Sequence, residues 1–178
     1  MNDRPWLWVQ LLWLGLAGLG WAEAECASVS FSTQERLEMG LVRAQPGATG
    51  FITLDPRAGV SVSNSGVSHQ GPWGPGQVSI QGPAGQSITV GLEATSRAEW
   101  NTDALELAEL LVRVGADQVR LGLTAPTVTV NMPSQGNEHG IAHTLIEVGA
   151  VFRYNGLAMP QTAQYQLQFS CQPLPITE

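Results

Sequence analysis

The sequence predicts an all-β protein, an antiparallel immunoglobulin-like β-sandwich that follows an amino-terminal signal peptide. Three observations lead to this prediction. Short stretches of alternating apolar and polar residues recur about every ten residues, clusters of Gly and Pro separate them, and almost no stretch has helical spacing. A period of two places successive side chains on opposite faces of a strand, so that one face is dry and the other faces water. Many short strands joined by Gly/Pro turns are typical of a sandwich or a barrel.

Residues 1–24 are predicted to form a secretory signal peptide. A short head with Arg4 precedes an apolar run over residues 6–17, and the segment ends in the small-x-small pattern Ala22-Glu23-Ala24. The run is shorter than the roughly twenty apolar residues that span a bilayer, which favours cleavage after Ala24 over an uncleaved anchor helix. Residues 25–178 would then form a single β-sandwich domain in the periplasm, at the cell surface or outside the cell.

The clearest strands are predicted over residues 87–93 and 165–171, where apolar residues occupy every second position. A dipeptide that suits a tight hairpin turn, Asn155-Gly156, precedes the second of them. Residues 64–76 are predicted to form a long loop. The remaining predicted strands are 27–31, 37–42, 50–55, 60–63, 78–80, 119–123, 128–132 and 146–154.

Residues 103–114 fit two structures. A cap at Asp103 would begin a helix whose apolar stripe includes Leu107, and the propensities of Leu, Ala and Glu favour that helix. In a strand, Leu105 and Leu107 share a face, and a bulge near Ala108 restores the phase for the apolar residues that follow. The all-β surroundings favour the strand, which is the structure we predict.

Cys26 and Cys171 are the only two cysteines of the chain, and they bracket the predicted domain. In an exported protein two such cysteines most often form one disulfide. In the chain-entropy model, closing this long loop would stabilise the fold by at most about 5 kcal/mol. The alternatives are free or intermolecular thiols and a lipid on Cys26. A lipoprotein signal needs a small residue directly before the cysteine, but Glu25 occupies that position, so we expect no lipid anchor.

The composition and the residue spacing exclude several functions. The net charge is −7 without any basic cluster, and nucleic acid or anionic lipid would require clustered cations. His139 and His143 lie four residues apart, but Gly140 interrupts the segment and a zinc site needs three or four ligands. Neither a nucleophile elbow nor a convergent carboxylate pair stands out. We therefore predict a non-enzymatic protein without catalytic, cofactor-binding or metal-binding residues and without a cofactor.

Trp73 and Trp100 are candidate ligand contacts. Their rings could stack on a sugar, because an exposed indole offers a flat apolar face. The other interpretation is that each Trp anchors the core or a turn.

The chain resembles a bacterial secreted family that is catalogued as domain of unknown function 4402. The resemblance rests on a strand that contains Val148-Gly149-Ala150, on a later strand in which alternating apolar residues follow Tyr165, on Gly82-x-x-Gly85 between two strands, and on the early strand 50–56. It implies an exported, non-catalytic sandwich similar in layout to immunoglobulin-like pilus subunits. The chain departs from the family at Ala163, where Gly is usual, and in its paired cysteines.

We therefore expect an exported structural or adhesive surface component, a pilin-like subunit that pairs strands with other copies of itself or with related surface subunits. An unpaired strand edge offers a row of N–H and C=O groups to another chain, and residues 165–171 and 27–31 are the predicted edges. The alternative is a soluble periplasmic or extracellular binding module in which the loop that carries Trp73 contacts a glycan or a peptide.

Overall fold

The computed structural model describes residues 26–63, 66–96, 105–155 and 161–172. The predicted signal peptide, Trp100 and Asp103 lie outside these ranges. Within them the chain forms twelve strands in two antiparallel sheets, which confirms the predicted all-β sandwich. The strands are β1 (Ser30–Glu35), β2 (Leu37–Ala44), β3 (Thr49–Asp55), β4 (Gly59–Val62), β5 (Val67–Gln70), β6 (Gly76–Pro83), β7 (Ser87–Ser96), β8 (Leu105–Val114), β9 (Asp117–Leu121), β10 (Thr127–Asn131), β11 (Ile141–Asn155) and β12 (Gln161–Gln172).

The first sheet is built around β11, which has 15 residues. One side of β11 pairs with β6 over residues 141–148 and then with β3 over residues 150–155. The other side pairs with β8, and β9 pairs with β8 in turn. Outside β6 and β3 lie β1 and β4, so β11 is the central strand of a seven-stranded sheet.

The second sheet has the order β10-β7-β12-β2-β5. β12 pairs with β7 over residues 165–172, but with β2 only over residues 161–165. The beginning of β12 is therefore central in the sheet. Near its end, β12 has a neighbouring strand on one side only, which is β7.

The core lies between the two sheets and consists of the apolar residues that alternation assigns to their inner faces. No polar or charged residue is buried in the described part of the chain. None of the described residues belongs to a helix with the length and apolar character needed to cross a membrane. The largest side chains that are fully buried belong to Tyr154, Phe152, Leu37, Met39 and Ile52.

The described part of the ambiguous segment, residues 105–114, is a strand, β8, as predicted. Val151 of β11 pairs with Glu109 and Phe152 pairs with Leu107, so Ala108 is the additional residue of a bulge. This is the position at which the apolar pattern changes phase, and the bulge keeps the residues on both sides of it in register with β11.

The predicted long loop over residues 64–76 is wrong in part, because it contains β5. This strand has only four residues, Val67–Gln70, and pairs with β2. The stretch is too short and too polar for alternation to be visible, so its strand conformation depends on the neighbouring β2.

The predicted hairpin at Asn155-Gly156 is also wrong. β11 ends at Asn155 in the first sheet, whereas β12 belongs to the second sheet. The connection therefore passes from one layer of the sandwich to the other. Alternation identifies both strands correctly, but it carries no information on the sheet to which each belongs.

The Val148-Gly149-Ala150 motif has a steric cause. Gly149 lies where β11 changes its partner from β6, which ends its pairing at Val148, to β3, which begins at Ala150. A Cβ atom on Gly149 would lie 2.0 Å from the carbonyl oxygen of Leu54 and 2.6 Å from Cδ of Pro56. Only glycine allows this close approach of two strands.

Candidate functional site

The second half of β12 lacks a neighbouring strand on the side away from β7. The pairing with β2 ends where Tyr165 faces Leu37, because the chain before Leu37 passes to the first sheet as β1. No strand in the described ranges lies beside residues 166–172 on that side. We call this side of residues 167–171 the open edge of β12.

The hydrogen bonds of β7 show which backbone groups of β12 reach the open edge. The N–H of Leu92 donates to the carbonyl oxygen of Pro126 at 2.9 Å, on the side of β10. Neighbouring residues of a strand direct their backbone groups to opposite sides. Gly91 therefore directs its N–H and C=O toward β12.

Gly91 pairs with Ser170 of β12. Ser170 consequently directs its own backbone groups back toward β7, and the residues on either side of it direct theirs away. The N–H and C=O groups of Leu167, Phe169 and Cys171 thus point to the open edge, which presents six backbone groups over a length of about 17 Å at the usual rise per residue.

Two contacts join the open edge to β1 and to the segment that precedes it. The rings of Phe31 and Phe169 are stacked with their centroids 6.2 Å apart, and both side chains are only half-buried. Near the end of β12 a disulfide connects Cys171 to Cys26. The gap between β1 and β12 is therefore apolar and partly open to solvent.

The disulfide between Cys26 and Cys171 confirms the predicted pairing. The two Cα atoms are 5.6 Å apart, and the bond joins the segment before β1 to the end of β12. Cys26 precedes the first strand, so the alternating pattern of the strands could not predict the direction of its side chain. Disulfides persist in oxidising compartments, so the bond is consistent with an exported protein.

The open edge carries no charge. β12 contains neither a charged residue nor a proline, although natural proteins commonly protect exposed edges with such residues. Edge strand β9 carries Asp117 and Arg120, and edge strand β1 ends in Glu35. The edge strands β10, β4 and β5 also lack Asp, Glu, Lys and Arg, but they have only five, four and four residues.

Charged side chains of the first sheet are instead paired with each other on its outer face. Arg113 of β8 contacts Glu147 of β11 at 2.8 Å, and Arg153 of β11 contacts Glu106 of β8. These pairs connect neighbouring strands, where cross-strand opposite charges are mildly stabilising. Both ion pairs lie on the first sheet, whereas the open edge belongs to the second.

Asp55 is a structural carboxylate at the end of β3. It accepts hydrogen bonds from the backbone N–H groups of Arg57 at 2.8 Å and Ala58 at 3.0 Å, and from the side-chain amide of Gln118 at 2.9 Å. Burial raises the pKa of Asp55, but these hydrogen bonds outweigh burial and hold the pKa below its usual value. The carboxylate joins the β3–β4 turn to β9.

Trp73, a predicted ligand contact, is half-buried and packs against the core. Its neighbour Gly74 exchanges backbone hydrogen bonds of 2.9 and 3.0 Å with Glu38, which ties this segment to β2. Trp73 therefore contributes to the packing of the core, and a contact of its ring with a ligand stays a prediction. Trp100, the other predicted contact, lies outside the described residues.

The three histidines lie in different elements of the fold. Nε2 of His69 donates to the carbonyl oxygen of Met39 at 2.6 Å. His143 is exposed on β11, and His139 lies in the turn before that strand. Within the described ranges no three His, Cys, Asp or Glu side chains come together as metal ligands could.

One exposed group of side chains on the outer face of the first sheet was not predicted from the sequence. Phe51 is 47% exposed and lies beside Arg153, which in turn pairs with Glu106. The signal was present in the predicted strand 50–55, since Ile52 and Leu54 face the core and alternation then directs Phe51 outward.

No family model matches the chain, and neither the curated proteins nor the solved structures contain a significant match.

Proposed function

We propose that this protein is an exported, non-enzymatic structural or adhesive surface component, a pilin-like subunit that assembles by strand pairing at the open edge of β12. The observation that carries the proposal is the row of backbone groups on Leu167, Phe169 and Cys171, which no strand of the described ranges pairs. Addition of a strand to such an edge supplies main-chain hydrogen bonds and is a recurrent mode of protein recognition.

The side chains around the open edge support the same function. Phe31 and Phe169 contact each other across the gap while remaining half-exposed. A strand placed beside β12 would cover both rings, and burial of apolar area contributes about 25 cal/mol per Å². Hydrogen bonds and apolar burial would therefore act together at one place.

A second copy of this chain fits the edge as the partner. If two open edges meet antiparallel about a two-fold axis at Phe169, Leu167 of one copy faces Cys171 of the other, and every outward backbone group finds a counterpart. The edge is uncharged, so that no like charges oppose this pairing. The product is a two-fold dimer, and a related subunit with a similar edge could replace the second copy.

Three variants of residues 25–178 test the proposal by size-exclusion chromatography with light scattering. Phe169→Pro removes the outward N–H together with the ring, whereas Phe169→Ala removes the ring and keeps the N–H. Proline is tolerated in a strand where its missing N–H faces away from the sheet. We expect Phe169→Pro to be monomeric and Phe169→Ala to retain the dimer of the wild-type chain, weakened at most by the loss of the ring.

The control is Thr129→Pro, which makes the same change on β10, another edge strand without charged residues. It should leave the dimer intact. Hydrogen exchange provides a measurement without any variant, because the amides of Leu167, Phe169 and Cys171 should become more protected as the protein concentration rises. A wild-type chain that stays monomeric at all concentrations, or a Phe169→Pro variant that still dimerises, would contradict the proposal.

A further inference from the structure

The outer face of the first sheet carries an exposed aromatic ring in a row of charged side chains. Phe51 of β3 lies opposite Arg153 of β11, and Arg153 lies opposite Glu106 of β8. Phe51 is the most exposed large apolar residue in the described part of the chain, at 47%. It lies on one of three paired strands rather than on a loop, and its exposed ring has no role in the packing of the core.

The ion pair beside Phe51 retains hydrogen-bonding capacity. Nε of Arg153 donates to Oε2 of Glu106 at 3.1 Å, and Nη2 of Arg153 donates to the same oxygen. Among the described residues, no hydrogen bond uses Nη1 of Arg153 or Oε1 of Glu106. The pair thus offers donors and an acceptor next to each other, without net charge.

These side chains line a half-open pocket of about 470 Å³, which we call the Phe51 pocket. Its volume lies in the range of about 300–1,000 Å³ that is typical of small-ligand sites. Beneath it the buried Tyr154 packs its hydroxyl against Gly50, since a Cβ atom on Gly50 would lie 2.5 Å from that oxygen. The pocket is lined by Thr49, Gly50, Phe51, Glu106, Arg153, Tyr154 and Asn155.

We propose that the Phe51 pocket binds a neutral sugar, such as the terminal residue of an oligosaccharide. A sugar ring combines an apolar C–H face, which fits the electron-rich face of an aromatic ring, with hydroxyl groups that both donate and accept hydrogen bonds. Phe51 receives the face, Arg153 donates to one hydroxyl and Glu106 accepts from another. Because Arg153 and Glu106 form an ion pair without net charge, the pocket gives no net attraction to an anionic or a cationic ligand.

A glycan array that carries neutral and sialylated oligosaccharides tests this proposal with residues 25–178 as the probe. We expect binding to one or more neutral glycans, a loss of at least tenfold in apparent affinity for Phe51→Ala, and retention of binding for Phe51→Tyr, which keeps the ring. Arg153→Gln should also lower the apparent affinity for the glycan at least tenfold. Leu145→Ala is the matched control, because Leu145 is an apolar residue of the same sheet that is 41% exposed outside the pocket.

The proposal is overturned if the wild-type chain binds no neutral glycan, if it binds sialylated glycans alone, or if Phe51→Ala binds as well as the wild type. Thermal melts of each variant establish that it is folded, and Phe51→Tyr keeps the test valid if Phe51→Ala proves unstable. The pocket lies on the first sheet and the open edge on the second. A failure of the sugar-binding proposal would therefore leave the proposed assembly untouched. The assembly-deficient variant Phe169→Pro should still bind the glycan.

Discussion

The rings of Phe31 and Phe169 lie nearly parallel, at 21° and 6.2 Å between centroids, and they join an edge strand of one sheet to the half-paired strand of the other. Phe31 belongs to β1, which crosses to the first sheet and thereby leaves the end of β12 without a neighbour. The same change of sheet therefore creates the open edge and places an aromatic contact beside it.

Loss of the bond between Cys26 and Cys171 is expected to lower the free energy of unfolding by about 2–5 kcal/mol, the range typical for removal of a native disulfide. The double variant Cys26→Ser and Cys171→Ser should show this loss in denaturant titrations. Reductant should produce the same loss in the wild type and no further loss in the double variant. The exposed Ser170→Ala is the control. Wild-type thiols that alkylate fully without reductant would exclude the bond.

Gly149→Ala is expected to destabilise the fold by about 3 kcal/mol or more, at the upper end of the range for overpacking. The added Cβ atom would lie 2.0 Å from the carbonyl oxygen of Leu54, a backbone atom that cannot rotate away. Gly122→Ala is the matched control, because no atom lies within 4 Å of its added Cβ. Comparable thermal melts for the two variants would show that the close approach of β3 and β11 is not required.

Leu167 and Gly76 should be energetically coupled. Leu167 is 6% exposed, and its truncation to Ala should cost about 2–5 kcal/mol through lost burial and a cavity. A Cβ atom on Gly76 would lie 2.3 Å from Cδ1 of Leu167, so Gly76→Ala alone is expected to displace that side chain. In the Leu167→Ala background the methyl group that Gly76→Ala adds enters the vacated space. Gly76→Ala should therefore lower the free energy of unfolding by less in that background than in the wild type.

A double-mutant cycle in urea measures this coupling, for which contacting residues typically give about 0.5–3 kcal/mol. Gln168→Ala, at an exposed position of the same strand, should change stability little. Additive effects of Leu167→Ala and Gly76→Ala would contradict the predicted packing of these two residues.

Asp55 should contribute to stability at neutral pH and lose that contribution in acid. Its pKa is lowered in the folded protein, so the folded state favours the carboxylate more than the unfolded state does. The stabilisation is present in full above the unfolded pKa of about 3.9 and is lost as the pH falls from there through the lower folded pKa. Asp55→Asn should therefore be less stable than the wild type at pH 7, and the difference should shrink below about pH 4.

Urea denaturation at a series of pH values checks this behaviour. Gln118→Ala, which removes one of the three donors to Asp55, should show a smaller loss with the same pH dependence. If the difference between the wild type and Asp55→Asn stayed constant from pH 7 to pH 2.5, the hydrogen bonds to the carboxylate would have no energetic effect.

Alternation was sufficient to locate most of the strands, because the direction of a side chain in a strand depends only on its parity. The bulge at Ala108 was predicted for the same reason, since a change of phase between Leu107 and the later apolar residues requires one additional residue. The disulfide was predicted from cysteine number and compartment. Each of these features depends only on a short stretch of the chain or on the number of its cysteines.

The candidate sites depend on information of another kind. The open edge exists because β2 stops pairing with β12 at Tyr165, and the position of that stop is set where the chain before Leu37 enters the other sheet. The Phe51 pocket requires Phe51, Glu106 and Arg153 to meet, although the residues lie on three strands far apart in the chain. Alternation shows that Phe51 faces outward, but it does not show which residues are its neighbours.

The sequence by itself thus determined that the protein is an all-β sandwich, where most of its strands lie and which cysteines pair. Strand periodicity is visible within a few residues, and the chain has only two cysteines that could pair. Only the tertiary structure decided that β11 and β12 belong to different sheets, that residues 67–70 form a strand, and that half of β12 has an unpaired side. The physical reason is that strand partners are selected by hydrogen bonds and packing between residues distant in sequence, and a period of two is the same for every partner.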